Sequence, residues 1–162
     1  MIVDIEVKKV VLVGDARVGK TSLVKYLLNR EITNIDIPTV GVYTPTLGVN
    51  VNPIMVMTDN TMGNTMRIFD VWEVAGDPRY WSLREGYLVQ SDIAIIMYDN
   101  VGLHSHVDWV GIVRSVCPTI PIVKCVNHTQ DDIGDFSTNA SDVFHVDVAH
   151  GEGIDALFNT LP

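Results

Sequence analysis

Cysteine is scarce in this chain. Its 162 residues include two, Cys117 and Cys125, too few for a disulfide framework or a four-ligand metal site. Both are expected to be small buried fillers. Basic side chains are also few: 11 Lys and Arg against 20 Asp and Glu give a net charge of −9. Nucleic acid and anionic membranes recruit basic surfaces, so neither is an expected partner. No apolar run approaches the roughly 18 residues that cross a bilayer. The opening MIVDIEVKKVVLVG has two lysines and no small-residue cleavage site, unlike a secretory leader. The closing FNTLP has no cysteine for a lipid anchor. These exclusions lead to the expectation of an intracellular domain, in cytoplasm, nucleus or both. What the chain does have is a core: 47% of residues are hydrophobic and 19% charged. That composition fits one folded domain over residues 1–162, expected to be a monomer, and neither disorder nor a fibrous repeat.

Short apolar runs alternate with helical patterns. Val10–Val13 and Ile93–Tyr98 read as buried strands, as does Ile122–Val126. Gly48–Met57 and Met66–Val71 read as two more, joined by the turn-rich Thr58–Thr65. Val143–Val148 reads as a sixth. Helices are expected over Gly19–Leu28, Val107–Val116 (closed by Pro118 and Pro121) and Gly153–Leu161. Such alternation predicts a mostly parallel sheet covered on both faces. Within the polar, proline-bearing stretch after Leu28, Pro38–Thr44 is followed at once by Pro45–Val51. The Pro, Thr, Gly and Val positions match between the two copies, which reads as a seven-residue tandem duplication.

Gly14-Asp15-Ala16-Arg17-Val18-Gly19-Lys20-Thr21 matches G-x-x-x-x-G-K-[ST] at every defined position, between a predicted strand and a predicted helix. The glycines let backbone N–H groups wrap a phosphate, and the helix that follows turns its positive end to the same anion. In this pattern Lys20 reaches the β- and γ-phosphates, and the Thr21 hydroxyl is placed to ligate Mg²⁺.

Other segments indicate what kind of phosphate-loop protein this is. Trp72-Glu73-Val74-Ala75-Gly76-Asp77 stands where Ras-like GTPases have W-D-T-A-G-Q. Thr46–Pro53, Arg84–Gln90, Ile93–Asp99, Trp109 and Ile120–Asn127 resemble the Ran branch of that superfamily, and the resemblance runs from about Val7 to Leu161. It implies a phosphate-loop small-GTPase fold: a mostly parallel six-stranded sheet, helices on both faces, shortened near the fourth helix and the C-terminus. It also implies a guanine-nucleotide switch with GTP or GDP and Mg²⁺ as cofactors. In such a switch two loops are ordered by GTP and released on hydrolysis, and the resemblance implies a role in intracellular transport.

Carried over position by position, the resemblance makes Gly14 to Ser22 the phosphate site, with Asp15, Ala16, Arg17, Val18, Gly19, Lys20, Thr21 and Ser22 all lining it. Asn127, His128, Gln130 and Asp131 fall at the base-reading motif, and Val148 and Ala149 at the second base loop. Metal contacts are implied for Thr21, for Thr46 (or Thr39, the duplication making both fit), and for Glu73 through water. Lys20, Gly76 and Asp77 fall at the hydrolytic positions. Effectors or regulators are implied at two switch regions, about Asp36–Val51 and Glu73–Tyr87.

Several of these positions depart from the pattern. Gln130 carries one carbonyl and one NH₂, and cannot accept two hydrogen bonds from guanine as the family aspartate does. Asp131 would substitute only if the loop shifts, and His128 replaces a lysine whose stem packs on the base. Asp77 replaces the glutamine that orients water, and Ala16 puts a methyl near the γ-phosphate. Together they predict weakened guanine selectivity and slow hydrolysis. An interaction module with weak or no nucleotide binding, competing for Ran or Rab partners, is the alternative. Trp72, Trp81 and Trp109 are expected in packing roles, with Trp81 and Tyr80 the best exposed anchors. His104, His106, His145 and His150 show no metal-ligand spacing.

Overall fold

The computed structural model of the chain describes residues 4–32, 44–60, 63–99, 105–128 and 143–162. The strands are β1 (Asp4–Val13), β2 (Val49–Asn60), β3 (Gly63–Val74), β4 (Ile93–Asp99), β5 (Ile122–Asn127) and β6 (Val143–Val146). The helices are α1 (Lys20–Ile32), α2 (Arg84–Leu88), α3 (Trp109–Val116) and α4 (Ile154–Thr160). The strands form one sheet in the order β2-β3-β1-β4-β5-β6. Only the β2–β3 pair is antiparallel; β1–β3, β1–β4, β4–β5 and β5–β6 are parallel. The expected six-stranded, mostly parallel sheet is therefore present, with α1 and α4 on one face and α2 and α3 on the other.

The central strands are apolar on both sides because helices cover both sides. Val10 to Val13 and Ile93 to Met97 are all buried, which explains why they read as unbroken runs and not as alternating ones. On one face, Leu23 and Leu27 of α1 and Leu157 and Phe158 of α4 pack on Leu12, Ile54 and Phe69. Phe158 meets Phe69 edge to face, with ring centres 5.9 Å apart. On the other face, Leu88 of α2 and Trp109 and Val113 of α3 cover Val11, Val13 and Ile96. Truncating any of the large buried side chains to Ala costs about 2–5 kcal/mol. Cys117 and Cys125 are buried too, as small fillers.

Several elements run longer than the patterns predict. β1 begins at Asp4 and pairs with β3 from Thr65 onward. Its first half alternates exposed Ile5 and Val7 with charged Glu6 and Lys8, so no apolar run marks it. Arg67 holds this end together: its Nε donates to Glu6 at 3.0 Å and its Nη1 to the Leu161 carbonyl at 2.7 Å. The turn expected over Thr58–Thr65 shrinks to its centre, because the ladder continues to Asn60 opposite Gly63. Asn, Asp and Thr suggest turns by composition, but a long antiparallel partner overrides that local preference. α1 likewise runs on to Ile32, and Arg30 in its last turn pairs with Asp155 of α4. β6 stops at Val146, and Asp147 instead bridges to Glu152. Pro53 lies in β2, at the edge of the sheet, where a missing N–H removes no ladder bond. The first copy of the duplication, through Tyr43, lies outside the described residues. So does the shortened stretch before β6, up to Ser141 and Asp142.

Candidate functional site

The site gathers at the C-terminal ends of β1 and β3 and the start of α1. Three residues after β1 take positive φ: Gly14 at 146°, Arg17 at 69° and Gly19 at 103°. Left-handed residues of this kind are what allow a loop to curl into an anion nest. Gly19 cannot be replaced simply, since a Cβ there would stand 2.5 Å from Nδ2 of Asn127. Asp15 is not turned toward the nest. Its Oδ1 accepts from Ser105 Oγ at 2.7 Å and from the Trp109 indole N–H at 2.8 Å, tying the loop to the start of α3.

Lys20 opens α1 and is 5% exposed. Its ammonium donates to the carbonyls of Gly14 (2.8 Å) and Asp15 (2.7 Å). Burial pushes its pKa down to about 8, against the opposing pull of Glu73 and Asp15. Three oxygens converge beside it. Oε1 of Glu73 accepts from the hydroxyl of Thr21 and from that of Thr46 at 3.0 Å, and the two hydroxyl oxygens are 3.4 Å apart. Of the two candidate first-switch threonines, Thr46 is brought to this cluster; Thr39 lies outside the described residues. Glu73 contacts both threonines directly.

A cavity of about 220 Å³ lies over these groups, lined by Ala16, Arg17, Gly19, Lys20, Thr21, Ser22, Thr46, Glu73, Gly76 and Asp77. Gly14, Asp15 and Val18, expected in the lining, do not border this cavity; Val18 is buried in the core. Gly76 lets β3's continuation press on the phosphate loop: a Cβ would come within 2.4 Å of the Asp15 carbonyl carbon and 2.5 Å of the Ala16 nitrogen. Asp77 caps the single helical turn Pro78–Tyr80. Its carboxylate accepts from Arg79 Nε at 3.0 Å and Nη2 at 2.6 Å. These bonds hold its pKa down at about 2. The site therefore contains an ionised carboxylate paired with Arg79 at that position, where the resemblance has a water-orienting glutamine.

At the far end Asn127 joins three segments. Its Nδ2 donates to the Val18 carbonyl at 3.2 Å, and its Oδ1 accepts from the Val148 N–H at 3.1 Å. Val148 is buried and Ala149 exposed. The His128 and His145 rings share a 2.7 Å hydrogen bond between Nε2 and Nδ1. Burial, then the neighbouring His128, lowers the pKa of His145. Gln130 and Asp131 lie outside the described residues, as does His104. No group of three or more metal-ligating His, Cys, Asp or Glu side chains occurs among the described residues, and no described helix is long and apolar enough to cross a membrane.

Three features had gone unread in the sequence. Asp15 pairs with residues about ninety positions away, which no local pattern signals. Arg79 lies two residues from Asp77 and was visible as an opposite charge. The Trp pair is the third: Trp81 packs edge to face on Trp109 at 5.4 Å and donates to the Ala75 carbonyl at 2.9 Å.

A strand, a nest carrying a buried lysine, and a helix, beside a β3 carboxylate and an asparagine on β5, define an α/β phosphate-loop GTPase fold. A family model described as Roc, the Ras of Complex domain of DAPkinase, matches residues 9–130. The chain belongs to that family, a GTP-binding domain of the Ras superfamily, for which a guanine nucleotide and usually Mg²⁺ are the expected ligands. The phosphate loop, Thr46, Glu73 and Asn127 all fall within the matched span.

Proposed function

We propose that this chain is a guanine-nucleotide switch of Ran-like type, with slow hydrolysis and relaxed base selectivity. The observation that carries it is Lys20: a buried ammonium, held by two loop carbonyls, lining the cavity over the phosphate loop. Burying such a charge is costly unless an anion compensates it, and a nucleotide phosphate supplies that anion. The oxygens of Thr21, Thr46 and Glu73 suit a hard divalent cation such as Mg²⁺, which when bound offsets phosphate charge. Gly19 to Ser22 would hold the β-phosphate at the helix start. Asn127 ties the phosphate loop to the segment that begins at Val148, the two segments that the resemblance assigns to phosphate and base. Slow hydrolysis rests on Asp77, whose carboxylate is committed to Arg79 and has no donor to offer a water, and on the Ala16 methyl in the cavity wall. The Ran-like character rests on the Thr46–Pro53 and Ile120–Asn127 segments.

Partners in this reading are effectors or regulators at Asp36–Val51 and Glu73–Tyr87, in cytoplasm or nucleus, with one domain over residues 1–162. Asp77 also favours a second reading, a pseudo-GTPase that serves as an interaction module with weak or no nucleotide binding. Calorimetric titration with GDP, a non-hydrolysable GTP analogue and ADP, each with Mg²⁺, separates the two. Submicromolar guanine binding with ADP far weaker supports the switch. Absent binding, or equal binding of ADP and GDP, leaves the interaction module.

A further inference from the structure

We propose that Glu73 holds the first switch closed from within, so that Thr46 stays at the site in the GDP state as well as in the GTP state. The proposal rests on the nucleotide binding proposed above and confines the switching to the second switch region, Glu73–Tyr87. In a GTPase switch the first-switch threonine is held by the metal and the γ-phosphate, and its release is the signal. Here the hold is already made by a side chain. The Glu73 carboxylate is 1% exposed, and one of its oxygens accepts from both Thr21 and Thr46. It thus pins the first-switch threonine to the first turn of α1 through a charged acceptor, the stronger class of hydrogen bond.

The length of Glu73 makes this possible. The family aspartate is shorter by one methylene, up to about 1.5 Å of reach, enough to take Thr46 out of hydrogen-bond range. The neighbouring backbone supports the same closure. The Ala75 N–H donates to the Gly48 carbonyl at 2.8 Å, and a Cβ on Gly48 would stand 3.1 Å from the Tyr87 hydroxyl. The segment after Thr46 is therefore clasped by the end of β3 and by α2. A ligand shifts an equilibrium only by its differential contact with the two states. If Glu73 already supplies the contact to Thr46, a γ-phosphate has little left to select.

Hydrogen exchange at the amides of Thr46 to Val49 tests this on the full chain. The states compared are nucleotide-free, GDP with Mg²⁺, and a non-hydrolysable GTP analogue with Mg²⁺. The wild type is expected to exchange at the same rate, within about twofold, in all three states. Glu73→Asp is expected to make exchange nucleotide-dependent, about tenfold faster with GDP than with the analogue. Thr46→Val is expected to exchange faster than wild type in the nucleotide-free state. A general loss of structure would speed exchange in every state alike, so the GDP-to-analogue ratio in Glu73→Asp is the decisive reading. The proposal is overturned if wild type itself exchanges tenfold faster with GDP, or if Glu73→Asp matches wild type. Should no nucleotide bind, the switch reading fails. The nucleotide-free comparison then decides this proposal alone, and equal exchange in wild type and both variants overturns it.

Discussion

Trp109 donates its indole N–H to Asp15 across 2.8 Å, so the phosphate loop is fixed to the first residue of a helix ninety-four positions away. The same indole packs against Trp81, whose own N–H is held by the Ala75 carbonyl. The loop and the segment that follows β3 are thereby linked through two aromatic rings.

Trp109→Phe keeps the ring packing and removes the donor. Hydrogen bonds to charged acceptors are worth about 1.5–3 kcal/mol. The variant is expected to unfold at lower denaturant by about that amount and to bind GDP more weakly. Chemical denaturation and calorimetry measure the two effects. Unchanged stability would refute the role assigned to the Asp15 bond.

Lys20 is expected to make nucleotide binding pH-dependent. Its pKa stands at about 8 in the folded chain against about 10.4 when exposed. Between those values the unfolded chain binds the proton and the folded chain does not, so this residue's contribution to stability rises with pH across that window. A phosphate beside the amine raises its pKa again. GDP binding near pH 8.5 is therefore expected to take up a proton, and affinity to fall as pH climbs above 8. Titration in buffers of different ionisation enthalpy measures the uptake; none at pH 8.5 would count against a Lys20–phosphate contact.

Asp77→Gln is expected to raise GTP hydrolysis about tenfold or more, by restoring a group that can both accept from and donate to water. With its pKa at about 2, Asp77 stays ionised through the working range, so acidifying wild type to pH 5 is not expected to mimic the substitution. Phosphate release over time gives the comparison. A rate unchanged in the variant would remove Asp77 as the brake.

His145 provides an acid-side signature. Burial and His128 hold its pKa below the usual histidine value, so the unfolded chain binds a proton first as pH falls. Stability is expected to drop from about pH 6.5 down to the folded pKa, and to level off below it. His145→Phe is expected to flatten that slope in thermal melts recorded from pH 7.5 to 5. A parallel slope in the variant would place the acid sensitivity elsewhere.

Gly76→Ala sets backbone against backbone, since the added methyl would collide with the Asp15 carbonyl carbon and the Ala16 nitrogen. Strain of this kind costs about 1–3 kcal/mol, and the phosphate loop must move to relieve it. Loss of GDP affinity beyond the loss of thermal stability is the expected result.

The phosphate loop was legible because its chemistry demands fixed spacing within eight residues. The central strands were legible because burial on both faces leaves an unbroken apolar run. Where the sequence misled, a distant partner decided the outcome. Asn60 and Gly63 look like a turn, yet they continue a ladder set by β2 and β3 together. Spacing from Thr21 reaches Thr39 while the match to the downstream strand selects Thr46; among the described residues Thr46 is the one within reach of Glu73. The Asp15–Trp109 bond had no sequence signal, because tertiary pairing across ninety residues leaves no periodicity.

The proline in β2 has a consequence for how copies of this chain meet. A twelve-residue outer strand with Val51 and Met55 exposed is the kind of border along which sheets stack into aggregates. At Pro53 an incoming strand finds no amide proton to receive and a ring in its path. The border is interrupted near its middle, so the sheet ends there instead of seeding a longer one.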